Sequence, residues 1–238
     1  MFTQSGFQVR FEWAEEAIDI CSAGIEVVIV VDVFSFCTSV DIAVAKGAEV
    51  LPFTWGQGDA AGFAAECCAI LAGRSGEMDK YTLRPSSLLE IPAGTRLVLP
   101  SPNGSALSFR AAALGKTVVA ACLRNASAVG KWAKSKNGVL VVAAGERWPN
   151  GMLRPCYEDL IGAGAVIDAL GLPCSPEAEA ARAAFCAGKE DLCERLLACG
   201  SGRELVEREF TTDIELAAAL NSSDAVPILK DGAFGGDK

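Results

Sequence analysis

Histidine is absent from all 238 residues. Its absence excludes His-based triads, imidazole general bases and every zinc site that needs a His ligand. Positive charge is scarce: 21 Lys and Arg stand against 30 Asp and Glu, a net charge of -9. That balance argues against a nucleic-acid partner, because phosphate-backbone binding is driven by clustered cations. It also argues against an anionic membrane surface. No apolar run approaches the length of a membrane span, and the start lacks a basic region followed by an apolar core. Cytoplasm is the expected compartment. Cysteine is plentiful, with ten residues, yet no CxxC pair occurs. Most of the ten lie among Ala, Leu and Val, and the expectation is reduced thiols packed as small hydrophobes.

With 51% apolar residues, the chain can build one substantial core, and a single α/β domain over 1–238 is expected. Short apolar runs at 26–34, 48–54, 95–100, 117–122 and 138–144 read as strands. Their continuous Val, Ile and Leu content suits strands covered on both faces. Between them, 38–46, 59–72, 105–114, 125–134 and 157–170 read as helices. Gly47 and Gly115 fit C′ positions, and Asp59 and Ser105 fit N-caps. The alternating order implies a mostly parallel sheet flanked by helices. From 175 the pattern is helical only, over 175–187, 190–198, 201–209 and 213–220. A helix-rich extension over 175–225 is expected to pack on the sheet and to serve as a site wall or a dimer contact. The closing DGAFGGDK is expected to fray.

The stretch VVIVVDVFSFCTS, 27–39, places Asp32 at the end of a buried run. In open α/β sheets, ligands bind beyond the carboxyl ends of the strands. Those ends here carry Asp32 to Ser39, Ser101-Pro102-Asn103-Gly104-Ser105, Arg124-Asn125 and Gly145-Glu146-Arg147, followed by Cys156-Tyr157-Glu158-Asp159. Helix starts favour Ser, Thr and Asn as caps, which accounts for Thr38 and Ser105 as well as a site does. Capping does not account for Asp32 or for the acids Glu146, Glu158 and Asp159. Carboxylates without histidine suit a hard cation such as Mg²⁺. Helix starts near Thr38, Ser105 and Asn125 suit phosphate. Together they point to phosphoryl chemistry, in which the protein mostly positions and neutralises charge. There is no GxxxxGK[ST] loop, no GxGxxG turn, and no second Asp two residues after Asp32. The C-x5-R string from Cys68 to Arg74 falls at the end of an apolar helix rather than in a phosphate-wrapping loop. Cys37, at a helix start, is the better-placed thiol.

Four segments, in order, resemble the 2-phosphosulfolactate phosphatases of coenzyme M biosynthesis. DVFSFCTSVDIAVAKGAEVLPF (32–53) resembles the family's first motif, and SPNGS (101–105) its TNG(T/S) loop. CLRNASAVGKWA (122–133) is similar to the N-A-x-A-V-A helix start, and YEDLIGAGAVIDAL (157–170) to the L-E-D-x-x-x-A-G segment. The closing ALNSSDAVPILKDG (219–232) is also similar. The resemblance implies a Mg²⁺-dependent hydrolase with a fold of its own, acting as a homodimer on a small anionic phosphorylated metabolite, 2-phospho-3-sulfolactate. Asp32, Asn103, Gly104, Asn125, Glu158 and Asp159 occupy matching positions.

The expected catalytic group is Asp32, Asn103, Asn125 and Glu158. Thr38, Ser39, Gly104, Ser105 and Arg147 are expected at the phosphate, and Asp32, Glu146, Glu158 and Asp159 at the metal. Ser35 stands where the family motif carries Arg, and Lys80 to Ser87 replaces G-F-D-L-G-N-S-P. The family's upstream G-E-R is matched only loosely by residues 72–77. Arg84, Arg147 and Arg154 are the arginines available to replace the missing cation. Two alternatives remain open: a hydrolase of a different phosphomonoester, and a non-catalytic anion-binding protein on the same scaffold.

Overall fold

The computed structural model describes residues 2–56, 58–73 and 80–237. All five expected strands form. They are β2 (Val27–Val31), β3 (Glu49–Thr54), β5 (Arg96–Ser101), β6 (Thr117–Ala121) and β7 (Val139–Ala143). Before them lie β1 (Val9–Trp13) and α1 (Ala14–Cys21), and between them α2 (Phe36–Ala45), α3 (Ala60–Glu66), β4 (Ile70–Leu71), α4 (Gly104–Ala113) and α5 (Ala126–Ala133). After β7 come a small ribbon, β8 (Glu146–Arg147) with β9 (Leu153–Arg154), and the long helix α6 (Tyr157–Leu170). The C-terminal part holds α7 (Pro176–Gly188), α8 (Leu192–Ala198), α9 (Gly200–Glu207), α10 (Thr211–Ala218) and the hairpin β10 (Ile228–Lys230) to β11 (Ala233–Gly235).

The nine-stranded sheet runs β1-β7-β2-β6-β10-β11-β3-β5-β4. Every pairing is parallel except those made by the β10–β11 hairpin. The apolar run of β2 shows why its composition looks continuous. Val27, Ile29 and Val31 face one core with α5, α6 and α7, while Val28 and Val30 face a second core with α1, α2 and α4. Alternation persists, but both faces are dry, so no polar residue marks it. Each fully buried Val or Ile is worth roughly 1.5–3 kcal/mol relative to exposure.

The Ala- and Gly-rich helices serve close packing. A Cβ on Gly164 of α6 would overlap the Ala181 carbonyl of α7, so glycine there lets the two backbones approach. The C-terminal helices extend the first core through Leu192, Leu196, Ile214 and Ala217.

Three expectations need correction, and one strand was not expected. The helix expected over 59–72 stops at Glu66, and the chain turns at Cys68, whose φ is +50°, into β4 beside β5. Asp59 does cap it, accepting from the Ala61 N–H at 3.0 Å. Cys68 thus precedes a strand rather than ending a helix; Arg74, and with it residues 74–79, lies outside the described residues. The cap of α4 is Asn103, and Ser105 lies inside the helix. The closing segment does not fray before Asp237: Phe234 pairs with Val50, is fully buried, and meets the Phe36 ring edge-on at 6.1 Å. Burial of one large ring outweighs the flexibility that three nearby glycines suggest. Finally, β1 was hidden by Arg10 and Glu12, which alternate with core residues Val9 and Phe11 on an edge strand.

Candidate active site

Strand order decides which polar ends meet. β2 and β7 are parallel neighbours, with Val31 level with Ala143. Asp32 and the Gly145-Glu146 turn therefore emerge side by side. The start of α6 lies across both. Asp159 accepts the Val33 N–H on Oδ1 at 2.7 Å and the Gly145 N–H on Oδ2 at 2.8 Å. One buried carboxyl thus ties the two strand ends together. Burial, followed by the charges of Glu158 and Asp32, pushes this carboxyl well above the ordinary range despite the two N–H donors.

Asp32 plays a similar part on the other side. Its Oδ1 accepts from the Phe36 N–H at 3.2 Å, at the start of α2, and its Oδ2 from the Gly104 N–H at 3.1 Å, at the start of α4. Two helix N-termini therefore converge on the Asp32 carboxyl. Those contacts favour the anion, yet burial and then the Glu146 charge win, and the Asp32 pKa rises from 3.8 to about 7. Gly104 is required for the approach. A Cβ there would overlap the Phe36 ring and sit 3.0 Å from Asp32 Oδ2. Gly104→Ala is expected to cost about 1–3 kcal/mol, the usual penalty for overpacking. Urea unfolding midpoints check this; an unchanged midpoint would show that the ring yields freely.

A cavity of about 320 Å³ opens next to Phe34 and Ser35; Asp32 is not among the residues that line it, but is near enough for the Glu146 and Glu158 charges to act on it. Glu146 and Glu158 line it together with Arg84, Arg154 and Arg208, and its apolar wall includes Phe34, Trp55 and Phe210. Ser35 also lines it, and the Phe34–Ser35 peptide bond is cis. The ribbon explains one split among the charges. Glu146 stands opposite Arg154 in the β8–β9 register, so both share a face, whereas Arg147 alternates away. Arg147 and Asn103 line a separate cleft near Ala14 and Glu15.

Several expected residues are engaged elsewhere. The Thr38 hydroxyl donates to the Val33 carbonyl at 2.8 Å, and that of Ser39 to the Leu83 carbonyl at 2.8 Å. Asn125 is fully buried; its Oδ1 accepts from the Cys122 N–H and its Nδ2 donates to the Ala120 and Ala225 carbonyls. Its neighbour Arg124 holds buried Asp41 at 2.9 Å. The Ser105 hydroxyl is buried without a hydrogen-bond partner among the described residues. Cys37 is fully buried and donates to the Val30 carbonyl, and burial raises its thiol far from thiolate character.

Sequence reading missed the far wall. Ser201, Glu204, Leu205, Arg208, Phe210 and Asp213 all come from the C-terminal helices and line the cavity. Arg84, inside the rebuilt 80–87 stretch, reaches Asp213 at 2.7 Å and lies 3.8 Å over the Phe210 ring. No local motif announces these positions; only the expectation that the extension forms a site wall pointed to them.

Fold and site together define an α/β protein with a cleft of carboxylates and arginines at the carboxyl ends of a mostly parallel sheet. The chain belongs to the 2-phosphosulfolactate phosphatase family, whose model, described as 2-phosphosulpholactate phosphatase, matches residues 15–232. A protein of Thermus thermophilus named "Probable 2-phosphosulfolactate phosphatase" is 29% identical over 215 residues, covering 86% of this chain and 88% of that one. A protein of the same name from Gloeobacter violaceus is 30% identical over 135 residues, 57% of this chain, and the match spans only 56% of the Gloeobacter protein. A third, from a Cyanothece species, is 27% identical over 221 residues, covering 85% and 88% of the two chains. Membership of this family supports hydrolase chemistry on a small anionic substrate. No helix among the described residues is long and apolar enough to cross a membrane.

Proposed function

We propose that the protein is a Mg²⁺-dependent phosphomonoester hydrolase acting on 2-phospho-3-sulfolactate or a close relative. The observation that carries this reading is the pairing of Glu146 and Glu158 in the cavity with a buried Asp32 whose pKa lies near 7. Among the described residues no group of three or more Asp, Glu or Cys side chains is placed to hold a metal, so the expected set of Asp32, Glu146, Glu158 and Asp159 does not come together as ligands. The reading rests on the pair Glu146 and Glu158, because Mg²⁺ is commonly held by one or two carboxylates with water and substrate oxygens completing the shell. Glu146 and Glu158 would hold the ion, which supplies charge neutralisation at the phosphoryl oxygens and orients water.

The chain's own part is proton handling and placement. In the metal-free protein, burial and then the Glu146 charge raise the Asp32 carboxyl to about 7. A cation held by Glu146 and Glu158 would offset the second of these while burial remains, so Asp32 is the group assigned to take up and release the proton. It takes the proton of the attacking water or returns one to the departing alkoxide as the ester P–O bond breaks. Asp159 keeps the strand ends bearing Asp32 and Glu146 in register through its two N–H contacts. The apolar wall excludes water, which strengthens each charge interaction inside. A reduced protein of the cytoplasm, working as a homodimer, is part of the same reading.

The test is phosphate release from 2-phosphosulfolactate with Mg²⁺ and with EDTA. Turnover is expected with Mg²⁺, falling at least about 100-fold in EDTA. Absence of turnover on this ester and on 2-phospholactate and phosphoglycolate would overturn the reading. One observation favours a different ester: Ser35 lines the cavity where the family motif carries Arg, beside Trp55 and Phe210. Relative kcat/KM over the three substrates decides between them, and binding without turnover of any would favour an anion-binding protein.

A further inference from the structure

Glu158 lines the cavity yet is only 3% exposed. Asp32 and Asp159 each accept two backbone N–H groups, whereas the one hydrogen bond made by the Glu158 carboxylate among the described residues is with the Cys199 thiol, whose Sγ lies 3.5 Å from Oε2. Cys199 is itself firmly placed, at the corner between α8 and α9. Its N–H donates to the Arg195 carbonyl at 3.0 Å, closing α8, and its Sγ accepts the Gly202 N–H at 3.3 Å, capping α9. Gly202 makes the corner tight, since a Cβ there would overlap the Leu196 carbonyl. The first turn of α9 is seated against the start of α6 a second time, where the Ser201 hydroxyl lies 3.9 Å from Cys156 Sγ. The Cys199 thiol has one proton and two acceptors in reach, Glu158 Oε2 and the Leu196 carbonyl, the latter at 3.1 Å. The charge on the carboxylate favours the first.

We propose that Cys199 is a positioning residue: its thiol orients the buried Glu158 carboxylate for a divalent cation, and releases that oxygen to the cation by turning its proton to the Leu196 carbonyl. This rests on the reading of Glu158 as a cation ligand and adds the group that orients it. Hydrogen bonds made to a ligating side chain from behind fix its direction, and their loss weakens metal affinity. A thiol suits the task because it is a weak donor. It holds the oxygen in direction without competing strongly with a cation for it, and the second acceptor keeps the proton paired once the cation has neutralised the carboxylate. Cys199 belongs to the C-terminal extension and Glu158 to α6. Cation affinity therefore depends on how the extension is seated on the sheet.

The experiment titrates the full chain with Mn²⁺, reading free Mn²⁺ by electron paramagnetic resonance, for the unmodified protein, C199A, C199V and C199S. Urea midpoints are measured beside it. C199A and C199V remove the donor and are each expected to weaken Mn²⁺ binding at least about tenfold. C199V fills the volume of the thiol, so it carries the test should C199A fail to fold. C199S keeps a donor and a cap acceptor and should bind within about threefold of the unmodified protein. In phosphate release, the Mg²⁺ concentration giving half the maximal rate should rise with the Mn²⁺ dissociation constant in C199A, while kcat at saturating Mg²⁺ changes less than about threefold. A role in folding alone would lower the urea midpoints and leave Mn²⁺ affinity within about twofold, and that result would overturn the proposal. A loss in C199S as large as that in C199A would overturn it too. If the unmodified protein binds no Mn²⁺, the reading of Glu158 as a cation ligand fails and the proposal falls with it. Mn²⁺ binding without phosphate release from any ester fails the hydrolase reading alone, because the titration still decides the role of Cys199.

Discussion

Asp32→Asn is expected to lower phosphate release about a thousandfold and to make the metal-free protein more stable at pH 8, less stable at pH 4.5. The first effect follows from removing the proton carrier, since general acid–base groups contribute about 100- to 10,000-fold. The second follows from linkage. Asp32 has a pKa of about 7 in the folded protein against 3.8 for the unperturbed carboxyl. Below pH 4 the group is protonated in both folded and unfolded chains, and its burial costs little. Between pH 4 and 7 the unfolded chain ionises while the folded chain does not, so stability falls by about 1.4 kcal/mol per pH unit from this group alone. Across the window the loss approaches about 4 kcal/mol. Asn cannot ionise and abolishes that slope. It also sets an amide N–H₂ against either the Phe36 or the Gly104 N–H, at a cost of about 1–3 kcal/mol. The pH 4.5 loss is that cost, and the pH 8 gain is the remainder. Urea unfolding at the two pH values in EDTA reads both. Asp41, also raised by burial, contributes similarly to either protein, whereas Asp159 is raised partly by the Asp32 charge, so the difference between the two proteins reports Asp32 together with its coupling to Asp159. Parallel pH dependence in the two proteins would show that Asp32 titrates at its ordinary value.

Asp159→Ala is expected to lower stability by about 4 kcal/mol near pH 4, below the range in which ionisation of this buried, raised carboxyl itself costs stability. The side chain is the partner of two backbone N–H groups, Val33 and Gly145, on strands that carry Asp32 and Glu146. Removing it leaves both donors unsatisfied in a buried setting, each worth about 1–3 kcal/mol. Asp159→Asn keeps one acceptor and should lose about half as much. Urea midpoints at constant slope measure these losses, and phosphate release should fall with them because the two strand ends come free of each other. A loss under about 1 kcal/mol for the alanine variant would mean that water replaces the carboxyl, and Asp159 would then be no clamp.

The residues show how much of this could be read in advance. β2, β3, β5, β6 and β7 were legible because strands covered on both faces need unbroken apolar runs. The edge strand β1 and the hairpin β10–β11 were not, since their pairing is supplied by neighbours far along the chain. The hairpin's ladder register with its neighbours is a single residue pair on each side, Ile228 with Val119 and Phe234 with Val50. Composition at a helix start was legible too, but the direction of a hydroxyl was not. Thr38, Ser39 and Asn125 have the right residue types at the right edge and spend them on backbone groups.

What the order of residues settles on its own is therefore local. It places apolar strands, the polar ends that follow them, and an acid at the end of a buried run. A hydrophobic period and a helix cap are short-range properties, and a reader of the chain can see them. Which ends become neighbours, and which charges share a cavity, depends on strand order and on the packing of the last helices. Asp32 is pushed up to about 7 first because the fold removes water from it, and then because β7 brings Glu146 beside it. Arg208 reaches the cleft because α9 folds back across it. Coulomb energies depend on distance in space and on local water, and separation along the chain reports neither.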